Sequence, residues 1–217
     1  VSTPIYKILH YPHVLLRKKS EPVSTWGKDL APFIEGMVAT MYAHQGIGLA
    51  APQVGILKRI LVVDIKAYLE NPELSAWHGS STYLVDGKEQ PFEWPLRLVN
   101  PEITERHEKV NFPFDGCLSL PGVPPSESER DRRVVLKAKT PGGQTVEIRA
   151  EGILSICLQH ELDHLEGVLF IDRVTAPADE AVVEDIIHAY EEDPITRRSE
   201  RKLKPIDARK CSFDFLS

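Results

Sequence analysis

His160, Glu161 and His164 form a His-Glu-x-x-His pattern within the stretch 151–167. Side chains four positions apart share one helical face, so both imidazoles can reach the same point. A divalent metal ion at that point would have two nitrogen ligands at roughly 2.0–2.1 Å. Glu161 follows the first imidazole directly and points off the metal axis, where it can take a proton from a water that such an ion binds. Two imidazoles and a carboxylate are costly to bury in an apolar helix without partners. That cost favours metal chemistry over two unrelated histidines and a surface glutamate.

Two histidines leave a catalytic metal one protein ligand short, since such sites commonly use three protein ligands and one open position. Residue type offers two candidates. Cys117 stands between Gly116 and Leu118 in a segment bounded by proline and glycine, although a lone cysteine is usually a small buried hydrophobe. Glu180 or Glu184, on a last helix, would give the arrangement of helical metallopeptidases. Asp179, Glu180, Glu184 and Asp185 read more simply as a charged, solvated face. Residue types alone leave the choice open.

The helix that must carry the pattern has apolar residues at Ile153, Ile156, Cys157, Leu158, Leu162 and Leu165, as a buried helix would, and Gly167 marks its stop. An amphipathic helix begins at Asp29, which is placed to cap it. Its apolar face holds Leu30, Phe33, Ile34, Met37, Val38 and Met41, and Gly46 lies just beyond its end. The run Gly46-Ile47-Gly48-Leu49-Ala50-Ala51-Pro52-Gln53-Val54-Gly55 suggests a tight loop approached by another backbone or a ligand. It lacks the Lys-Ser/Thr ending of a phosphate loop and reads equally well as a connector.

Residues 13–18 suggest a short helical piece. A buried strand is expected over 59–65, then a surface insertion over 66–95 with a small hairpin, pinned by Trp77 and Trp94. A strand over 96–100 is expected with 102–111 as its partner, followed by a Pro-rich charged loop over 123–131. Segments 132–138 and 144–150 form a hairpin about the turn 140–143. Residues 168–172 look strand-like. The last helix, over 178–191, has an apolar face of Val182, Val183, Ile186, Ile187 and Tyr190, with His188 facing solvent. The basic tail beyond Pro194 is expected to be mobile.

The chain has 217 residues, which suits one domain with a sizeable core. A net charge of −6 argues against a general nucleic-acid binder, so DNA is not an expected partner. No apolar run approaches the length of a membrane span. The start, Val1-Ser2-Thr3-Pro4-Ile5-Tyr6, lacks the pattern of a secretory signal and lacks Met, which suits a processed or trimmed N-terminus. Cys117, Cys157 and Cys211 are too few and odd in number for a disulfide framework, which suits a reducing compartment.

Three motifs occur in order: Gly46-Ile47-Gly48-Leu49-Ala50-Ala51-Pro52-Gln53, Gly116-Cys117-Leu118-Ser119 and Gln159-His160-Glu161-Leu162-Asp163-His164. Together they resemble the signature motifs of the peptide deformylase family. The resemblance takes in Val99-Asn100-Pro101 and runs over about 5–174. It implies an α+β fold, with antiparallel β-sheets packed around a central metal-binding helix and a helix towards each terminus. One catalytic domain would span 1–192, leaving 193–217 as tail.

By the same resemblance, Cys117, His160 and His164 hold the metal, iron(II) by preference, with zinc, nickel or cobalt as alternatives. Glu161 moves the proton, and the Gln53 amide and Leu118 N–H meet the oxyanion. Ile47, Gly48 and Gly116 pair with an extended peptide, Ile153, Ile156 and Cys157 form a methionine pocket, and Arg130 aligns with an arginine near the cleft mouth. The implied substrates are N-formyl-methionyl peptides and nascent chains, deformylated with release of formate. The basic tail is either solvated or in contact with the ribosome. A bacterial cytoplasm, or an organelle after loss of a transit peptide, would fit. Asp115 stands where the family usually has Glu. The 66–95 insertion exceeds the usual connector, and the Val123-Pro124-Pro125 loop also departs from the common pattern.

Overall fold

The computed structural model of the chain describes residues 3–192 and Phe215, with the backbone alone at 177–180 and 189–192. Its elements follow in chain order: α1 (Leu30–Ala43), β1 (Gly48–Ala50), β2 (Ile60–Val63), α2 (Lys66–Leu69), β3 (Thr82–Val85), β4 (Lys88–Gln90), β5 (Leu96–Asp115), β6 (Ser126–Lys139), β7 (Thr145–Glu151), α3 (Ile153–Glu166) and α4 (Pro177–Glu192). A short 3-10 turn over Val14–Arg17 occupies the segment expected to be helical near the start.

The strands form one antiparallel sheet among the described residues, in the order β1-β2-β5-β6-β7-β3-β4. Alternate residues of a strand face opposite sides, and β2 uses both. Leu61 and Val63 pack in one core cluster with Ile153, Leu154, Leu158 and Leu162 of α3. Ile60 and Val62 pack in another with Phe33, Ile34, Met37 and Met41 of α1. This two-sided burial explains the uninterrupted apolar run Ile60-Leu61-Val62-Val63. It also sets α3 against the sheet on one side and α1 on the other.

Several expectations are corrected. Asp29 precedes α1 without a side-chain capping bond. The left-handed residue beyond that helix is Gln45 (φ 57°), and the Gly46 N–H donates to the Met41 carbonyl at 2.9 Å. Residues 102–111 are not a separate partner of 96–100; both belong to β5, whose early part pairs with β2 and the rest with β6. The handover falls at Asn100-Pro101, where the register shifts and proline has no donor to give the ladder. Asn100 turns there with φ 51° and brackets Val23, accepting its N–H at 2.8 Å and donating to its carbonyl at 2.9 Å.

The 66–95 insertion is less peripheral than expected, because its hairpin β3–β4 joins the sheet along β7. Trp77 packs edge-on against Phe112 with ring centres 5.0 Å apart, and Trp94 stacks on Phe92 at 5.2 Å. Residues 126–131, expected as loop, begin β6. Residues 168–172 make no strand. Phe170–Arg173 is a 3-10 turn, with Leu169 and Phe170 buried as core and the Asp172 carboxylate accepting the Leu169 N–H at 2.9 Å. On α4, Val183 is buried, Ile186 and Ile187 are partly buried, Val182 is exposed rather than packed, and His188 is exposed.

The tail expected over 193–217 and the Tyr190 side chain lie outside the described residues, with one exception. Phe215 is fully buried against Phe33, their ring centres 5.3 Å apart.

Candidate metal centre and cleft

Two glycines fix the ends of α3. Gly152 precedes it with φ 65°, and a Cβ there would lie 2.1 Å from the Trp77 carbonyl oxygen. Gly167 ends it in the left-handed conformation at φ 75°. Between them His160 and His164 fall on one face. Cys117 arrives from just beyond β5. Its sulfur, together with one ring nitrogen from each histidine, forms a group whose ligand atoms all lie within 4.8 Å of one another. Cys117 Sγ is 3.1 Å from His164 Nε2.

Behind this group stands a buried ionic chain. His160 Nδ1 meets Asp115 Oδ1 at 2.8 Å, which leaves the other ring nitrogen for the cluster. Asp115 Oδ2 accepts from Ser128 Oγ at 2.7 Å and from Arg130 Nε and Nη2 at 2.9 and 2.6 Å. Arg130 Nη1 reaches Asp163 Oδ2 at 2.5 Å, and Arg173 donates to both oxygens of Asp163 at 2.5 and 2.6 Å. This network explains the early part of β6. Ser126, Ser128 and Arg130 alternate on its buried face, which the sequence disguises as a polar loop.

The network also sets charge. Burial opposes the Asp115 charge, but His160 and Arg130 outweigh it and hold the carboxyl well below the usual range. Burial would likewise lower His160, yet Asp115 and then Cys117 prevail and hold it well above its ordinary value. Burial, reinforced by His160, pushes His164 well below. Burial pushes the Glu161 carboxyl up to about 7.

Glu161 Oε2 and His164 Nδ1 are buried with no hydrogen-bond partner among the described residues. Glu161 lies against Gly48, where an added Cβ would come within 2.3 Å of Oε1. The glycine thus leaves room for the carboxylate. Gln53 is 1% exposed and its Oε1 accepts the Ala50 N–H at 2.7 Å. Its amide nitrogen therefore faces the other way, 3.2 Å from Ser119 Oγ and 3.7 Å from Cys117 Sγ. These groups open onto a cleft of about 320 Å³ lined by Ile47, Gly48, Gln53, Gly116, Leu118, Ile153, Ile156 and Cys157 among others. Burial pushes the Cys157 thiol well above its usual range, so it lines the cleft as a neutral group.

A sequence model of the family described as Polypeptide deformylase matches residues 5–180. The chain belongs to that family. The peptide deformylase of Thermodesulfovibrio yellowstonii is 40% identical over 171 residues, spanning 79% of this chain and 90% of the relative. That of Halothermothrix orenii is 38% identical over 179 residues, spanning 82% and 99%. Among solved structures, a peptide deformylase from Legionella pneumophila superposes with a TM-score of 0.65 at 34% identity, covering 94% of this chain and 98% of the other. The plant peptide deformylase PDF1B gives 0.70 at 29% identity, covering 94% and 96%. The chain is an enzyme of the peptide deformylase family, and its cysteine–histidine cluster could bind a metal ion.

The structure brings together all the expected site residues but one. Arg130 is not at the cleft mouth; it is 1% exposed, behind the cluster, between Asp115 and Asp163. Of the competing acids, Glu184 is exposed on α4 and outside the cluster, and the Glu180 side chain lies outside the described residues. Residue patterns did not single out Ser119, Ser128, Asp163, Tyr68 or Phe114. A buried aspartate inside an apolar helix was the available signal for Asp163, since such a charge requires a partner.

Proposed function

We propose that the chain removes the N-formyl group from the terminal formyl-methionine of newly made polypeptides, releasing formate and a free amino group. The observation that carries this reading is Glu161, whose buried carboxylate has an oxygen without a partner among the described residues and stands beside the Cys117, His160 and His164 cluster. The donor set fits a metal ion. Three ligating atoms converge, His160 is oriented by Asp115, and mixed sulfur and nitrogen donors suit a first-row divalent ion. We assign iron(II) as the native metal from the family resemblance, with zinc, nickel or cobalt as substitutes. When bound, such an ion acts as a Lewis acid, acidifying a water and polarising the formyl oxygen.

The chain's own residues supply the rest. Glu161 takes the proton as water attacks the formyl carbon and delivers it to the departing amine nitrogen. Burial raises the carboxyl's affinity for a proton, which favours its taking one before passing it on. The Gln53 amide and the Leu118 N–H donate to the oxygen on which negative charge develops. Ile47, Gly48 and Gly116 pair with the extended peptide backbone as an added strand would. The methionine side chain enters between Ile153, Ile156 and Cys157. Residues 1–192 would form the catalytic domain, acting in a bacterial cytoplasm or an organelle on nascent chains. The basic residues of 193–217 support a contact with ribosomal phosphate.

The test is formate release from formyl-Met-Ala-Ser by protein reconstituted anaerobically with iron(II). Turnover that disappears with a chelator and returns with the ion is expected. Absence of formate from fully metallated protein would sink the reading.

A further inference from the structure

The cleft has an open end and a closed end. Tyr68 and Phe114 line the open end, 37% and 56% exposed. Phe112 lines the closed end with Ile153 and Ile156, and all three are buried. A buried ring at the end of a cavity sets its depth only if something behind holds it in place. For Phe112 that support comes from the 66–95 insertion, to which no part of the chemistry has so far been assigned.

Trp77 ends a 3-10 turn over Pro72–Trp77, whose start is capped by the Asn71 side chain accepting the Glu73 N–H at 2.9 Å. Its ring meets Phe112 edge-on at 5.0 Å and packs on the core cluster that contains Ile153, Ile156 and Phe112. The same stretch also grips the start of α3. The Trp77 carbonyl fills the space that Gly152 leaves by having no Cβ, and the Glu151 N–H donates to Ser81 Oγ at 3.0 Å. Residues 151 and 152 lead directly into Ile153. The insertion thus touches both walls of the closed end, the strand wall through Phe112 and the helix wall through Gly152. Trp77 itself does not line the cleft.

Resting on the deformylase reading, we propose that Trp77 is a positioning residue that holds Phe112 as the end wall of the cleft, so that the insertion limits how large a first side chain the enzyme accepts. Truncating a buried ring leaves a void that its neighbours fill only in part. Without the indole, Phe112 loses the ring it rests on and can tilt towards the insertion. The cavity then lengthens on that side, while Cys117, His160, His164 and Glu161 stay where Asp115 and Arg130 aim them. The effect is on the size of the side chain admitted, not on the proton transfer.

The experiment measures kcat and KM by formate release from formyl-Met-Ala-Ser and formyl-Phe-Ala-Ser, with the iron(II) holoenzyme. Trp77→Ala is expected to raise kcat/KM for the formyl-Phe peptide about 10-fold, a gain that lost stability cannot mimic. For the formyl-Met peptide it should raise KM and leave kcat nearly unchanged. Trp77→Phe keeps a ring behind Phe112 and should return most of the wild-type preference. Phe33→Leu, in the core cluster on the other side of the sheet, is the destabilised control and should keep that preference. If Trp77→Ala does not fold, Phe112→Leu shortens the end wall directly and should give the same gain. No gain on the formyl-Phe peptide in the folded variant, or an equal gain in Phe33→Leu, would overturn the brace and leave the deformylase reading standing. Absence of formate from both peptides with the wild-type holoenzyme would overturn that reading and the brace with it.

Discussion

The wall behind the ligand cluster and the mouth in front of it are built by opposite rules. Behind, every buried charge is matched: Asp115 holds His160 and Arg130, while Asp163 holds Arg130 and Arg173. In front, Glu161 keeps an unmatched oxygen, and Tyr68 and Phe114 stand in solvent. A matched charge network is stiff, because moving any member leaves another buried and unpaired. An unmatched carboxylate is free to change partner, as a group that shuttles a proton must. Rigidity is concentrated where the ligands are aimed, and freedom where the substrate arrives.

Glu161→Gln disrupts the front and spares the back. Its kcat should fall by about 10²–10⁴ while bound metal, measured by atomic spectroscopy, stays at the wild-type level. A parallel loss of metal would mean that Glu161 supports the cluster itself. Arg130→Met does the reverse. It leaves Asp115 and Asp163 short of a buried partner and should cost about 3–5 kcal/mol in denaturant titration. A cost below ~1 kcal/mol would show that the wall is less tightly matched than its geometry implies.

Gly48→Ala tests the seam between the two regions. The added methyl would meet Glu161 Oε1 at 2.3 Å, so the carboxylate must shift. A displacement of that size should lower kcat by about 10² with KM little changed; an unchanged kcat would show that Glu161 has room to spare. The smallest effect is expected far from the ionic wall. Tyr42 donates to Asp64 Oδ2 at 2.5 Å, and burial together with that carboxylate pushes the phenol up to about 12. A raised phenol pKa stabilises the fold below the ordinary value near ~10, and the contribution fades as pH rises through the folded value. Tyr42→Phe should lack that alkaline slope and cost less than ~1 kcal/mol at neutral pH, because the side chain is half exposed. An identical alkaline stability profile in the variant would contradict it.

What the sequence revealed divides along the same line. The helices α1 and α3 were legible because their apolar spacing is local, and so was the paired placement of His160 and His164. Cys117 was not legible from residue type, since it meets His164 across 47 positions of chain, and only the three motifs taken together pointed to it. The start of β6 was misread because its buried face is serine and arginine rather than apolar. Its reason for being buried lies on β5 and α3, which no local pattern reports. β5 was cut in two because Asn100-Pro101 looks like a break, whereas the strand merely changes neighbours there. Tyr68 was hidden because the short α2 buries no residue, so it leaves no periodic trace.

The pairing of β3 along β7 has a consequence for engineering. Without residues 66–95, the outer edge of β7 would expose its row of N–H and C=O groups to any passing strand. Variants trimmed to the length of a shorter connector would therefore be prone to self-association and poor solubility before any loss of turnover could be read.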